Sequence, residues 1–324
     1  MSRVAIVIPN WNGAARLAQL LECLRSQTHP IEQVIVVDNG SSDDSAAVAR
    51  GAGATLIELG TNTGFSHAVN HGIRAADSEW IGIVNNDVWL ERTWLENLLA
   101  KAEAGHAWFA TGKLLDARGG NRIDGAFDAV CRGGCAWRCG HGRSDSQVWN
   151  QGREIRFAPL TAAILRAQLF ERVGVLDEEF ESYLEDIDFG IRCATAGFTG
   201  VYVPEALAHH LGSATLGSWH PETVRRIARN QILLLAKHYP PEWISRYGWP
   251  VVVAHVLWGL TALAHGRFLA YANGKLEGVR SFQKSRGTYK ANLDAILEQS
   301  ENEILELQRL TGFDLYWRLY FALT

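Results

Sequence analysis

The sequence predicts an α/β fold, with a mainly parallel central sheet, helices on both faces, and a helical C-terminal extension. Strand-length apolar runs alternate with helix-spaced segments through the first part of the chain. Those runs are apolar without interruption, as strands covered on both faces are. From residue 221 onward the periodicity is helical only.

Residues 4–9 form the first apolar run, and residues 14–26 place Leu17, Leu20, Leu21 and Leu24 at helical spacing. Residues 33–37 read as a second strand that runs into Asp38-Asn39-Gly40-Ser41-Ser42-Asp43. A short helix over 45–50, a strand over 55–59, a helix over 65–75 and a strand over 80–84 complete a series of βαβ units. Residues 117–153 turn Gly- and Arg-rich with weak periodicity, and read as a long excursion lying over the site. Ordered α/β character returns over 157–198, with a helix from Glu185 through Arg192, and 201–204 reads as a further short strand. Helical pattern then covers 225–238, 249–272 and 289–310. The expected organisation is a catalytic domain over 1–220 and a helical region over 221–324.

A hydrophobic content of 47% in 324 residues supports a substantial core, and no solenoid repeat or Pro/Ser linker appears. The opening MSRVAIVIPNWNG has no small-residue cleavage site, so it reads as a buried strand and points to a cytoplasmic protein. Five cysteines, an odd number, argue against a disulfide framework. Cys131, Cys135 and Cys139 recur every four residues before His141, but the spacing is not that of a zinc site and Gly133-Gly134 opposes a helix. Free thiols are the expectation there.

Residues 222–290 hold 11 Lys/Arg against three Glu, a local charge of +8 that leaves −12 on the rest of a chain of net −4. No nucleic-acid partner is expected. Residues 247–266 lack any Asp, Glu, Lys or Arg, close to the ~20 apolar residues of a spanning helix. Pro250, His255, Gly259 and His265 favour an interfacial or buried helix pair instead. Arg246, Arg267, Lys275, Arg280, Lys284, Arg286 and Lys290 lie near enough in sequence to meet anionic headgroups or an acceptor diphosphate. A peripheral position on the inner face of the cell membrane is expected. The apolar stripe of 289–310 suits intrachain packing or a homodimer.

Open α/β sheets bind ligands beyond the carboxyl ends of their strands. Three strand-ending loops there are polar: Asn10-Trp11-Asn12, Asp38 to Asp43, and Asn85-Asn86-Asp87. Asp87 is able to ligate Mg²⁺ or Mn²⁺, although Asn and Asp also favour plain turns. In Tyr183-Leu184-Glu185-Asp186-Ile187-Asp188-Phe189, acids at a helix start complement the dipole without any chemistry. Asp186 there is also a candidate general base. His209-His210, beside Gly212-Ser213, offers an imidazole to a divalent metal, and spacing does not choose between the two. Asn62-Thr63-Gly64-Phe65-Ser66 begins a helix whose N–H groups either face an anion or are capped by Thr63 or Ser66.

Taken in order, VAIVIPNWNG, VIVVDNGSSDDS, NTGFSHAVNHGI, IGIVNNDVWL, ERVGVLDEEFESYLEDIDFGIRCATAGF and VYVPEALAHHLGSAT resemble family 2 glycosyltransferases of the GT-A fold, most of all bacterial rhamnosyltransferase-type members. The resemblance runs from residue 4 to about 216. It implies that Pro9 and Asn12 border the nucleotide, that Asp38 contacts the base with Ser41 beside it, and that Asn62 and Gly64 lie near the nucleotide-sugar. It puts Asn86 and Asp87 at the DXD-like motif, with Asp87 and His210 as ligands of Mg²⁺ or Mn²⁺, and Asp186 as catalytic base. Asn85 and Asn86 depart from the pattern by replacing acids, which weakens metal affinity. The implied reaction is a single in-line displacement that inverts the anomeric centre. The donor is a nucleotide-diphosphate sugar, rhamnose among the candidates, and the acceptor a saccharide or polyprenyl-diphosphate-linked saccharide used in bacterial surface polysaccharide. The competing expectation is a catalytically silent sugar-binding protein on the same fold.

Overall fold

The computed structural model describes residues 1–212 and 219–324, so Ser213 and the Ala214-Thr215 end of the last motif lie outside the described residues. The chain divides into two compact units, Met1–Phe127 with Gly140–Gly212, and Asp128–Cys139 with Ser213–Thr324. The second unit thus takes a piece from the middle of the excursion and not only the C-terminal region.

The first unit opens with β1 (Val4–Asn10), α1 (Ala14–Arg25), β2 (Gln33–Asp38), α2 (Ser45–Gly51), β3 (Thr55–Glu58), α3 (Phe65–Ala75) and β4 (Trp80–Val84), within a residue or two of the expected elements. There follow β5 (Val88–Leu90), α4 (Trp94–Ala104), β6 (Phe109–Asp116) and β7 (Ile123–Gly125). In the second unit, β8 (Asp128–Val130) and β9 (Ala136–Arg138) form a separate hairpin. The first unit resumes with β10 (Arg153–Ile155), β11 (Ala162–Arg166), α5 (Ala167–Val173), α6 (Glu185–Thr195) and β12 (Gly200–His210).

The main sheet runs β10-β12-β6-β11-β4-β1-β2-β3, with β5 on β12 and β7 on β6. β3, β2, β1 and β4 are parallel, β11 is antiparallel to both β4 and β6, and β12 is parallel to β6. The carboxyl ends of β1, β2, β3, β4, β6 and β12 therefore share one edge. Val4, Ile6 and Ile8 of β1 join the buried cluster with Leu17, Leu20, Leu21 and Leu24 of α1 and Trp94, Leu95 and Leu98 of α4. Val7 points the other way, toward α3, where Gly72 leaves no room for a Cβ beside it. The alternation along β1 thus feeds two layers of helix.

In the second unit, α7 (Pro221–His238) precedes α8 (Trp243–Ala264), α9 (Phe268–Ser281), α10 (Leu293–Thr311) and α11 (Leu315–Leu323). The single pattern over 249–272 is two helices, which part at Gly266 (φ 68°). Cys131 and Cys135 flank the hairpin turn, and Gly133 packs so closely on α8 that an added Cβ would stand 2.7 Å from Pro250 O. The apolar stripe of α10 (Leu293, Ile296, Leu297, Ile304, Leu307) is buried inside this unit. Lys275 differs from its expected role at headgroups. Its Nζ turns inward, 2.7 Å from Gln231 Oε1 and 2.6 Å from His255 Nδ1, because the ring's other nitrogen is committed to Gly133 O. Arg246 is likewise engaged, with Asp294.

Candidate active site

The site is built at the carboxyl edge, where β1 turns to β2 on one side and borders β4 on the other, the position at which open sheets part. The ladder between β1 and β4 ends at Val7 opposite Ile83, whereas that between β1 and β2 continues to Asn10 opposite Asp38. Pro9 lies past the last β1–β4 pair, so its missing N–H falls where that ladder stops.

Asn10, the last residue of β1, links the loops. Its Oδ1 accepts from Asn86 Nδ2 at 2.7 Å, and its Nδ2 donates to Asp38 Oδ1 at 3.2 Å and to Ser41 Oγ at 3.3 Å. Ser41 returns its own N–H and hydroxyl to Asp38 at 3.0 and 2.5 Å, and its Oγ accepts from Asn12 N at 2.9 Å. Asn12, in the left-handed region at φ 47°, accepts from Ser42 N at 2.8 Å. Buried Asp38 is thereby satisfied by neutral donors. Pro9, Asn12, Asp38, Ser41 and Asn86 are thus neighbours. The sequence marks Asn10 as part of a polar strand-ending loop but gives it no role of its own; the structure makes it the link between the loops.

Asn39 carries the network to the next loop, accepting from Thr63 N at 2.9 Å and donating to Asn62 Oδ1 at 3.2 Å and Gly64 O at 3.0 Å. The start of α3 is neither open to an anion nor capped by Thr63 or Ser66. Ser66 N donates to Glu181 O at 2.9 Å and Phe65 N to Ser182 Oγ at 3.1 Å, so the loop before Asp186 closes the helix. Gly64 is required here. Its φ is 91°, and a Cβ would stand 2.9 Å from Glu181 O. That loop is strained, with Glu181, Tyr183 and Leu184 all at positive φ (59°, 73° and 67°). It delivers Asp186 to the first turn of α6, half-buried, beside a small pocket lined by Arg156, Ala158, Leu160, Phe189 and Gly190. Asp188, by contrast, is buried and held by Arg192 at 2.9 Å, a structural pair.

β12 reaches farther than the short strand expected, so His209 and His210 are its last two residues and not a loop beyond it. Alternation separates them. His209 faces Glu91 at 3.1 Å, while His210 is buried, with Nε2 3.3 Å from Asp87 Oδ1 and Nδ1 2.7 Å from Asp124 Oδ2. Pairing of β12 with β5 sets His210 opposite Val88, next to Asp87. Burial disfavours charge on this ring, but bonds to Asp124 and Asp87 outweigh it and lift its pKa to about 9. Asp124 comes from the excursion and was not anticipated. Among the described residues, no three His, Cys, Asp or Glu side chains converge as a complete metal cage. Asp87 and His210 do offer one oxygen and one nitrogen at a single point, a donor pair that suits Mn²⁺ or Mg²⁺ when phosphate and water complete the shell.

Residues 5–174 match the family model described as glycosyl transferase family 2. The chain belongs to that family. This glycosyltransferase is 28% identical, over 235 residues, to the N-acetylglucosaminyl-diphospho-decaprenol L-rhamnosyltransferase of Mycobacterium tuberculosis, covering 65% of this chain and 76% of that one. It is 28% identical over 221 residues to the pre-mycofactocin glycosyltransferase of the same species, covering 67% of this chain and 44% of that one. Among solved structures it is similar to a mannosyltransferase of Pyrobaculum calidifontis in complex with GDP-Man and Mn²⁺, with a TM-score of 0.54, 16% identity, and coverage of 99% and 86%. That likeness establishes the GT-A fold.

Proposed function

We propose that this glycosyltransferase moves a sugar, rhamnose being the favoured candidate, from a nucleotide-diphosphate donor to a saccharide carried on polyprenyl diphosphate, in bacterial surface polysaccharide synthesis. The observation that carries the reading is the 3.3 Å approach of His210 to Asp87 at the edge that also holds Asp38, Ser41, Asn10 and Asn86. Support for the acceptor is the resemblance to a relative whose name specifies a decaprenol-linked substrate.

In this reading Asp38 and Ser41 recognise the nucleotide, with Pro9 and Asn12 bordering it and Asn62 and Gly64 near the sugar. Asp87 and His210 would hold the divalent ion, and Asn86 sets the loop. The ion, when bound, offsets charge on the departing diphosphate. Asp186 takes the proton of the acceptor hydroxyl as that oxygen bonds to the anomeric carbon and the diphosphate leaves. One displacement inverts the centre, and no covalent nucleophile is needed. The test is a panel of dTDP-, UDP- and GDP-sugars with Mn²⁺ or Mg²⁺ and a polyprenyl-diphosphate saccharide acceptor, with NMR of the product. A product of inverted configuration supports the reading; donor binding without transfer to any acceptor favours a silent sugar-binding protein.

The second unit supports work at an anionic membrane surface. α8 is the one helix among the described residues long and apolar enough to cross a membrane, and 44% of its apolar window is buried. Its solvent side carries Trp249, Val252, Val256, Leu260 and Leu263, all more than half exposed. α9 meets α8 through Tyr271 and Gly259, and α11 through Tyr316 and Ala254, which leaves that stripe uncovered between them. Arg280, Lys284 and Lys290 are exposed in the same unit. An apolar stripe on a unit that also exposes basic side chains suits a helix lying in the headgroup layer of an anionic bilayer.

A further inference from the structure

β6 and β7 pair Leu114 with Gly125 but Leu115 with Ile123, so Asp124 is the extra residue of a β-bulge. A bulge breaks the strand's alternation and re-aims one side chain. Asp124, only 5% exposed, is aimed at the His210 ring, with Oδ2 2.7 Å from Nδ1. Asp87 stands at the other ring nitrogen, 3.3 Å from Nε2. One imidazole is therefore gripped at both nitrogens by carboxylates from different loops. Neighbouring backbone fits the arrangement. A Cβ on Gly212 (φ 64°) would press to 3.3 Å from Asp124 Oδ1, and His141 Nδ1 lies 2.9 Å from Asp124 O, holding the bulge from behind.

We propose that Asp124 is a positioning residue, which by accepting from His210 Nδ1–H orients the ring and leaves Nε2 as the nitrogen that would meet a divalent cation shared with Asp87. The proposal rests on the metal reading above and adds to it the group that makes His210 an effective ligand. An imidazole binds a metal through one nitrogen only if the other holds the proton, and a carboxylate on that N–H both orients the ring and raises its basicity. The need is plain here, because Asn85 and Asn86 bring no charge to the loop that carries Asp87.

The test is Mn²⁺ binding to the full chain, followed by EPR, with the metal alone and with UDP, GDP or dTDP. Asp124→Ala is expected to lower Mn²⁺ affinity about 10–100-fold. Asp124→Asn, whose amide oxygen still accepts from Nδ1–H, is expected to recover part of the loss. Pulsed EPR should find imidazole nitrogen coupled to Mn²⁺ in the parent and weakened in Asp124→Ala. A folded Asp124→Ala chain with parental affinity and parental nitrogen coupling, in a protein where His210→Ala loses both, overturns the positioning role alone. A parent chain that takes up no Mn²⁺ under any of these conditions overturns the metal reading and the proposal with it. If the alanine variant does not fold, Asp124→Ser, too short to reach the ring, replaces it with the same outcomes.

Discussion

The amide of Ser66 donates to the carbonyl of Glu181 at 2.9 Å, so the helix that follows the Asn62 loop is capped by the segment that leads to Asp186. Two loops far apart in sequence, one reached from β3 and one that opens α6, are thereby held as one piece of backbone. The left-handed residues between them persist because this capping over-determines them.

Gly64 is the weak point of that junction. Gly64→Ala places a Cβ 2.9 Å from Glu181 O in a conformation at φ 91° that alanine resists. The expected cost is about 1–3 kcal/mol. Thermal unfolding should fall by several degrees and turnover should drop as the 181–184 segment shifts. An unchanged melting temperature would show that the junction relaxes freely.

Asp186→Asn keeps the shape of the first turn of α6 and removes the base. Donor binding, measured by calorimetry, should stay near the parental value, while kcat falls about 10²–10⁴-fold, the usual contribution of a positioned general base. Near-parental kcat would remove Asp186 from the chemistry and leave it as a helix-start acid.

Paired substitution Val256→Glu with Leu260→Glu puts two charges on the exposed stripe of α8 without touching its buried face. Each buried Val or Leu contributes about 1.5–3 kcal/mol on leaving water. Flotation with vesicles rich in anionic lipid should therefore fall by more than about tenfold, with solution turnover on a soluble acceptor unchanged. Equal flotation of parent and variant would end the membrane assignment of this face.

Lys275 makes the second unit pH-dependent. Removal of its ammonium from water lowers the pKa to about 7, with Cys135 pulling the other way. An unfolded lysine titrates near 10.4. Above pH 7 the unfolded chain keeps a proton that the folded chain has released, so stability rises with pH up to about 10. Below pH 7 both states hold the proton and the cost of burying it is complete. Against Lys275→Met, the parent should gain up to about 1.4 kcal/mol per pH unit between pH 7 and 9 in urea unfolding. A constant difference would mean that the ammonium is solvated.

The first half of the sheet was legible because β1, β2 and β4 are buried on both faces, and their uninterrupted apolar runs stop at polar loop residues. β6 was not, since Thr111, Gly112 and Lys113 interrupt its pattern. β12 was cut short at Pro204, where the strand in fact continues through an irregularity between Val203 and Leu207. That continuation decides between His209 and His210, a choice no spacing offered. Asp124 escaped notice for a related reason, because a bulge hides its residue from any period-two reading. The strain before Asp186 falls on Glu181, Tyr183 and Leu184, and none is a glycine that would announce it.

The most direct test is a crystal structure of the chain with Mn²⁺ and the nucleoside diphosphate it prefers. The expected result is an anomalous peak within bonding distance of Asp87 and of His210 Nε2, with Asp186 on the sugar side of the same pocket. A peak elsewhere, or Asp186 opening onto a cavity that the diphosphate does not reach, would contradict it.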